Sequence, residues 1–344
     1  MNNPIGNVLV TGGAGYVGAV LVPKLLRAGY AVTVLDWYLY GADVFDDVKH
    51  DPNLTQIKGD IRDPEAVRRA VRDQDAVIHL ACISNDPSFE LNPDLGRSIN
   101  FDAFAPLVKA AKRASARRFI YASSSSVYGV SERDNVDELH PLNPLTDYSK
   151  YKAMCEPILL TEQVSDFVPI IIRPATVCGY SPRLRLDLTV NILTNHAVNN
   201  GKITVFGGSQ LRPNLHIEDM TDLYVQLLDE PDERVAGCTF NAGYQNHSVA
   251  DIADIVRRVV SGMMPDRGEI QIVTTPTDDL RSYHISSDRI RNELGFVPKR
   301  TIEDAVRDLV TAFTAGKIID PMNNPRDYNI KTMRTVEQAL IAAA

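Results

Sequence analysis

The stretch Val10-Thr11-Gly12-Gly13-Ala14-Gly15-Tyr16-Val17-Gly18 carries glycines at 12, 15 and 18, directly after the apolar run Val8-Leu9-Val10 and at the opening of a helical pattern. Glycine at these points allows a tight strand-to-helix turn, close approach of a pyrophosphate to backbone amides, and close helix–strand packing. The helix N-terminus then favours the anion. Gly12, Gly15, Tyr16, Val17 and Gly18 are therefore candidate dinucleotide contacts, although a plain tight turn would use the same glycines. Asp36 closes the next strand pattern, 18 residues beyond Gly18, where a carboxylate accepts hydrogen bonds from the adenosine ribose and repels a 2′-phosphate. No arginine follows in Trp37-Tyr38-Leu39, so the pattern reads NAD rather than NADP. Gly59-Asp60-Ile61 ends a third strand pattern; Asp60 and Ile61 either meet adenine or form a turn or cap before Pro64.

Outward from this loop, short β-branched runs at 7–10, 31–35, 55–58, 76–80, 118–122 and 169–172 alternate with helical stretches at 15–28, 64–72, 95–114 and 148–165. That alternation predicts an α/β protein with a Rossmann-type doubly wound parallel sheet. After Arg173 the texture turns to loops rich in Pro, Arg and Asn, and helical period returns at 187–200, 219–229, 249–261 and 302–315. No linker separates the halves, so a smaller C-terminal substrate domain is expected to interleave with the first. The expected division gives residues 1–174 and about 215–247 to the dinucleotide, and about 175–214 and 248–315 to the substrate. Residues 316–344 carry no assignable role, and Pro23 is expected to kink the first helix.

The composition, 44% hydrophobic and 23% charged over 344 residues, excludes a disordered or fibrous chain. A net charge of -8 gives no overall basic field, so neither nucleic acid nor an anionic membrane is an expected partner. Cys82, Cys155, Cys178 and Cys238 lie far apart without histidines at ligand spacing, which predicts buried thiols and no metal. Met1-Asn2-Asn3-Pro4 does not read as a signal peptide, and the apolar runs are short of a membrane span; a cytoplasmic location is expected.

Two further stretches carry chemistry. Tyr148-Ser149-Lys150-Tyr151-Lys152 opens a helical pattern, so Tyr148 and Lys152 share one face while Lys150 points elsewhere. An ammonium and a positive nicotinamide ring would both favour the Tyr148 phenolate, making it a general base for a hydroxyl proton. The same pair would also suit an ordinary amphipathic helix start. Tyr121-Ala122-Ser123-Ser124-Ser125-Ser126-Val127-Tyr128-Gly129 follows an apolar strand pattern, which places its serines in a strand-end loop rather than in a linker.

Glycine turn, acidic strand end, serine run and Y-x-x-x-K stand here in one order. With them the chain resembles the extended short-chain dehydrogenase/reductase family of nucleotide-sugar enzymes, up to about residue 315. The likeness runs through T-G-G-A-G-Y-V-G, G-D-I-R-D, H-L-A, S-S-S-V-Y-G, Y-S-K-Y-K, R-P-A-T-V and N-L-H-I-E-D. It implies that Ser124 polarises the substrate C4 oxygen beside Tyr148 and Lys152. Leu80 and Ala81 would line the cofactor groove, Asn100 brace it and Pro174 pack near the nicotinamide, though sheet core, a helix cap and a strand end explain these residues equally well. Ser125 and Ser126 stand where 4,6-dehydratases typically carry an acidic pair, and decarboxylases carry a glutamate at the second of the two positions. Their hydroxyls leave hydride chemistry at one carbon.

The resemblance further implies diphosphate contacts from Arg212 and Arg281, and substrate contacts from Ser125, Arg183, Arg185 and Asn191. Thr176, an expected substrate contact, replaces the amide of the familiar R-x-x-N strand end, and Thr275 replaces a usual arginine. The expected activity is an NAD-dependent nucleotide-sugar epimerase acting at C4. A 4-dehydrogenase or 4-ketoreductase with net redox is the alternative, and an NAD-sensing binding protein a third reading. A homodimer through 95–114 and 148–165 is the expected assembly.

Overall fold

The computed structural model describes residues 4–131, 135–277, 282 and 284–343. In chain order its strands are β1 Asn7–Thr11, β2 Ala31–Asp36, β3 Leu54–Lys58, β4 Ala76–His79, β5 Arg118–Ala122, β6 Val168–Pro174, β7 Thr176–Cys178, β8 Lys202–Phe206, β9 Leu211–His216, β10 Cys238–Ala242, β11 Gln245–Ser248 and β12 Gln271–Thr275. Seven of them form one parallel sheet in the order β10-β6-β5-β4-β1-β2-β3. The order reverses between β1 and β4, which is where an α/β sheet opens a ligand crevice at its strand ends.

The sheet is buried on both faces, and its strands divide their side chains accordingly. Val8, Val10, Val34, Ile78, Ile120 and Ile172 pack into one core, while their neighbours Leu9, Leu35, Val77, Phe119 and Ile171 pack into the other. Period-two alternation with both faces apolar is what makes these strands read as continuous hydrophobic runs. A smaller layer, with sheets β11-β9-β7 and β12-β8, has its own core around Val190, Ile203, Ile252 and Val306. Among the described residues no helix is long and apolar enough to cross a membrane.

Helix Gly18–Arg27 runs across Pro23, with Leu21, Val22, Leu25 and Leu26 buried around it. Other expectations are corrected. The stretch 95–114 is not one helix: Pro93–Arg97 and Phe104–Arg113 flank a π-helical turn at Ser98–Asp102. Asn100, inside that turn, accepts from Ile83 N at 2.8 Å and donates to Ile83 O at 2.9 Å, so its amide clamps the loop after β4 instead of capping a helix. The seventh strand, β10, has the half-polar sequence Cys-Thr-Phe-Asn-Ala, which carries no strand signal of its own and is drafted by pairing with β6. Residues 316–343 are also placed, with Met333 buried in the second core and Asn329–Ala343 helical.

Candidate active site

β1 ends at Thr11 and the chain turns at Gly12, whose φ of +71° puts any added Cβ 2.6 Å from the Ala81 backbone. A Cβ at Gly18 would collide with the Gly13 backbone. The following helix, Gly18–Arg27, has no side-chain cap at Val17, and Gly15, Tyr16, Val17 and Gly18 at its start line the cleft. Beside it the Asp36 carboxylate accepts from Ala14 N at 3.0 Å and Tyr38 N at 2.7 Å, and burial raises it above the usual carboxylate range. A cavity of about 370 Å³ runs along these strand ends. Every expected cofactor contact except Asn100 lines it, from Gly12 to Pro174. A glycine cradle, an uncapped helix start and a carboxylate at the β2 end fit a dinucleotide.

The helix Asp147–Leu160 is started by a capping box in which Thr146 and Ser149 bond reciprocally, and this fixes Tyr148 in the first turn. Lys152 lies one turn on, buried, with Nζ donating to Ala122 O at 2.6 Å and standing 6.0 Å from the Tyr148 ring centre. Lys150 instead pairs with Asp147 at the surface. Burial, then the charges of Cys82 and Asp86, raise the Tyr148 phenol; the Arg185 guanidinium and a hydrogen bond with Ser124 oppose them.

The serine run forms a 3₁₀ turn, Ser125–Tyr128, capped by Ser124, whose Oγ accepts from Ser126 N at 3.1 Å and lies 2.8 Å from Ser126 Oγ. Ser123 turns the other way. Its Oγ donates to Glu156 at 2.6 Å, Glu156 takes a two-pronged pair from Arg173 at 2.6 and 3.0 Å, and Arg173 donates to Tyr128 OH at 2.8 Å. Tyr128 in turn donates to Asn241 on β10 at 2.7 Å.

Of the expected substrate residues, Ser124, Ser125, Thr176, Arg183 and Arg185 line the cavity, whereas Asn191 and Arg212 do not. Asn191 is fully buried, holding Gly179 N at 3.0 Å, Arg185 O at 2.9 Å and Tyr16 OH at 3.1 Å; it braces the loop that carries Arg185. Arg212 lies on β9 and donates to Leu211 O at 3.0 Å. Arg281 falls outside the described residues. Of the two cavity arginines, Arg183 acts electrostatically on Asp36 and Arg185 on Tyr148, while both act on Tyr40 and Asp187. Sequence reasoning missed Tyr40, Cys82, Ser84, Asn85 and Asp86, and also Asn329 and Met333 from the tail. The first group follows directly on Asp36 or on the His79-Leu80-Ala81 strand end, so a longer reading of those two strand ends would have reached it; the tail offered no local signal.

A family model described as the NAD dependent epimerase/dehydratase family matches residues 8–243. The chain belongs to that family. Its cofactor is NAD, and it is an enzyme of the nucleotide-sugar epimerase/dehydratase group. UDP-glucose 4-epimerase of Lactobacillus helveticus is 28% identical over 348 residues, spanning 94% of this chain and 99% of that one. dTDP-glucose 4,6-dehydratase of Streptomyces griseus is also 28% identical, over 87% of this chain and 92% of its own length. The crystal structure of the Streptomyces venezuelae dTDP-glucose 4,6-dehydratase DesIV, with NAD and TYD bound, shares the fold at a TM-score of 0.81 and 22% identity, covering 92% of this chain and all of that one.

Proposed function

We propose that this family member epimerises a nucleotide sugar at C4 through a 4-keto sugar, and that Tyr148 is its general base and acid. The observation that carries the reading is the set of groups around Tyr148. Ser124, Ser125, Ser126 and Thr176 line the cavity, and no carboxylate stands in the serine run to drive an elimination. The carboxylate that acts on Tyr148, Asp86, accepts a hydrogen bond from the Thr146 hydroxyl at 2.6 Å.

NAD, when bound, supplies the acceptor and then the donor of the hydride. Tyr148 takes the C4 hydroxyl proton and later returns it. Ser124, beside the phenol in the cavity, steadies the C4 oxygen, and Lys152, anchored on Ala122 O, stands below the ring as a cation. Arg185 adds a second cation that lowers the phenol. Residues 1–174 with about 215–247 would hold NAD, and about 175–214 with 248–315 the nucleotide sugar. We take the working unit to be a cytoplasmic homodimer, which light scattering checks.

The deciding experiment incubates NAD-loaded protein with a panel of nucleotide sugars and follows both the C4 proton signals and NADH absorbance. The proposal expects a new C4 epimer with no net NADH. Stoichiometric NADH would instead assign a 4-dehydrogenase.

A further inference from the structure

Among the described residues the two largest fully buried side chains are both arginines, Arg118 and Arg183. Arg118 has a counter-ion, the carboxylate of Asp232, and three backbone carbonyls as acceptors. Arg183 has none: among the described residues no carboxylate lies within ion-pair distance, its Nη atoms donate only to Leu184 O and the neutral Asn329 amide, and its Nε has no partner among the protein atoms. Asp36, Asp187 and Asp327 act on it only from beyond ion-pair distance, so this buried guanidinium has no anion in contact and keeps an Nε donor unspent, an arrangement suited to an anionic ligand. Burial brings Arg183 down only to about 10, so it is charged at neutral pH.

Its position names the ligand end. Arg183 lines the cavity that holds the glycine loop, lies 3.5 Å over the centre of the Tyr40 ring, and acts on Asp36. Tyr40 follows β2 and Asp36, and the Asp36 carboxylate accepts from Ala14 N of the glycine loop, so Arg183 stands on the β2 side of the cavity. The residue that holds Arg183 there comes from the tail. Asn329 accepts from Arg183 through Oδ1 and donates through Nδ2 to Ser84 Oγ at 2.8 Å, on the loop after β4. Its neighbours fasten the remaining rim: Arg326 pairs with Asp43 at 2.7 Å, on the loop after β2, and Leu186 N donates to Asp327 O at 2.7 Å. One short segment thereby ties together three loops around the mouth of the cleft.

We propose that Arg183 is a cofactor ligand, the cation that pairs with the diphosphate of NAD, and that residues 324–333 form a clasp which presents it and keeps the dinucleotide resident. The proposal rests on the NAD-binding reading of the cavity and not on the C4 chemistry. It reassigns Arg183 from the nucleotide sugar to the cofactor, and it gives the tail a task.

The test compares the parent holoprotein with Arg183→Met and Asn329→Ala. Three quantities are measured: NAD released per protomer on acid treatment, Kd for NAD by calorimetry after stripping, and Kd for UDP in the NAD-loaded form. A charge-assisted contact predicts a loss of NAD affinity of about tenfold or more for Arg183→Met, with UDP affinity within about twofold. Stripped Arg183→Met should melt no lower than the stripped parent, because an uncompensated buried charge has been removed. Asn329→Ala should release NAD several times faster. Unchanged NAD affinity in Arg183→Met, or a loss of UDP affinity as large as the loss for NAD, overturns the assignment. An unchanged NAD release rate in Asn329→Ala overturns the clasp, and it remains decisive if Arg183→Met does not fold. Neither readout depends on which sugar reaction the enzyme performs.

Discussion

Ser123 and Ser124 are neighbours in sequence, both line the cavity, and they spend their hydroxyls differently. Ser123 belongs to a closed chain, Ser123–Glu156–Arg173–Tyr128–Asn241, in which the hydroxyls, carboxylate and amide are matched. Ser124 belongs to an open one, in which its hydroxyl reaches Ser126 and Tyr148 and all three groups line a cavity. Each chain contains a tyrosine that burial raises, Tyr128 to about 12 and Tyr148 further. The difference is what surrounds the phenol oxygen: Tyr128 donates to one protein group and accepts from another, while Tyr148 keeps room for a substrate. Spent hydrogen-bonding capacity gives rigidity, and reserved capacity gives reactivity.

That contrast can be broken at either end. Tyr148→Phe should lower turnover about a thousandfold while leaving bound NAD unchanged, read by single-turnover kinetics beside cofactor content. Glu156→Gln leaves the buried Arg173 guanidinium without its carboxylate and should cost about 3–5 kcal/mol in denaturant unfolding. If it slowed turnover with stability intact, the closed chain would not be the support described here. Ser124→Ala should reduce kcat about tenfold to a hundredfold, with a melting temperature close to the parent. Arg185→Met removes a cation that lowers the Tyr148 phenol, so the rise of turnover with pH should move to the alkaline side. Ser123→Ala, the smallest change, should lose about 1 kcal/mol of stability and little activity.

The cofactor half of the site was legible because its chemistry is local. Gly12, Gly15, Gly18 and Asp36 act through backbone shape and strand-end position, and Tyr148 with Lys152 through a single helical turn. What escaped depends on contacts distant in sequence. Asn191 and Arg183 look alike as polar residues near a predicted substrate loop, yet one is consumed by Gly179 and Tyr16 and the other is held by Asn329. The break in 95–114 escaped for the same reason, since the π turn exists to let Asn100 reach Ile83. β10 was invisible because its partner β6, not its own composition, makes it a strand.

The placement of β10 bears on how the enzyme is made. Ribosomal synthesis delivers β6 and then the whole of β7, β8 and β9 before residues 238–242 emerge to cover the β6 edge. During that interval the nascent sheet presents an unpaired strand edge, a template for wrong association, and the Tyr128 hydroxyl has yet to meet Asn241. A polypeptide released early would own an intact glycine loop and both Tyr148 and Lys152, but lack the last link of the chain that begins at Ser123. Completion of the catalytic wall thus reports that translation has passed through the smaller layer.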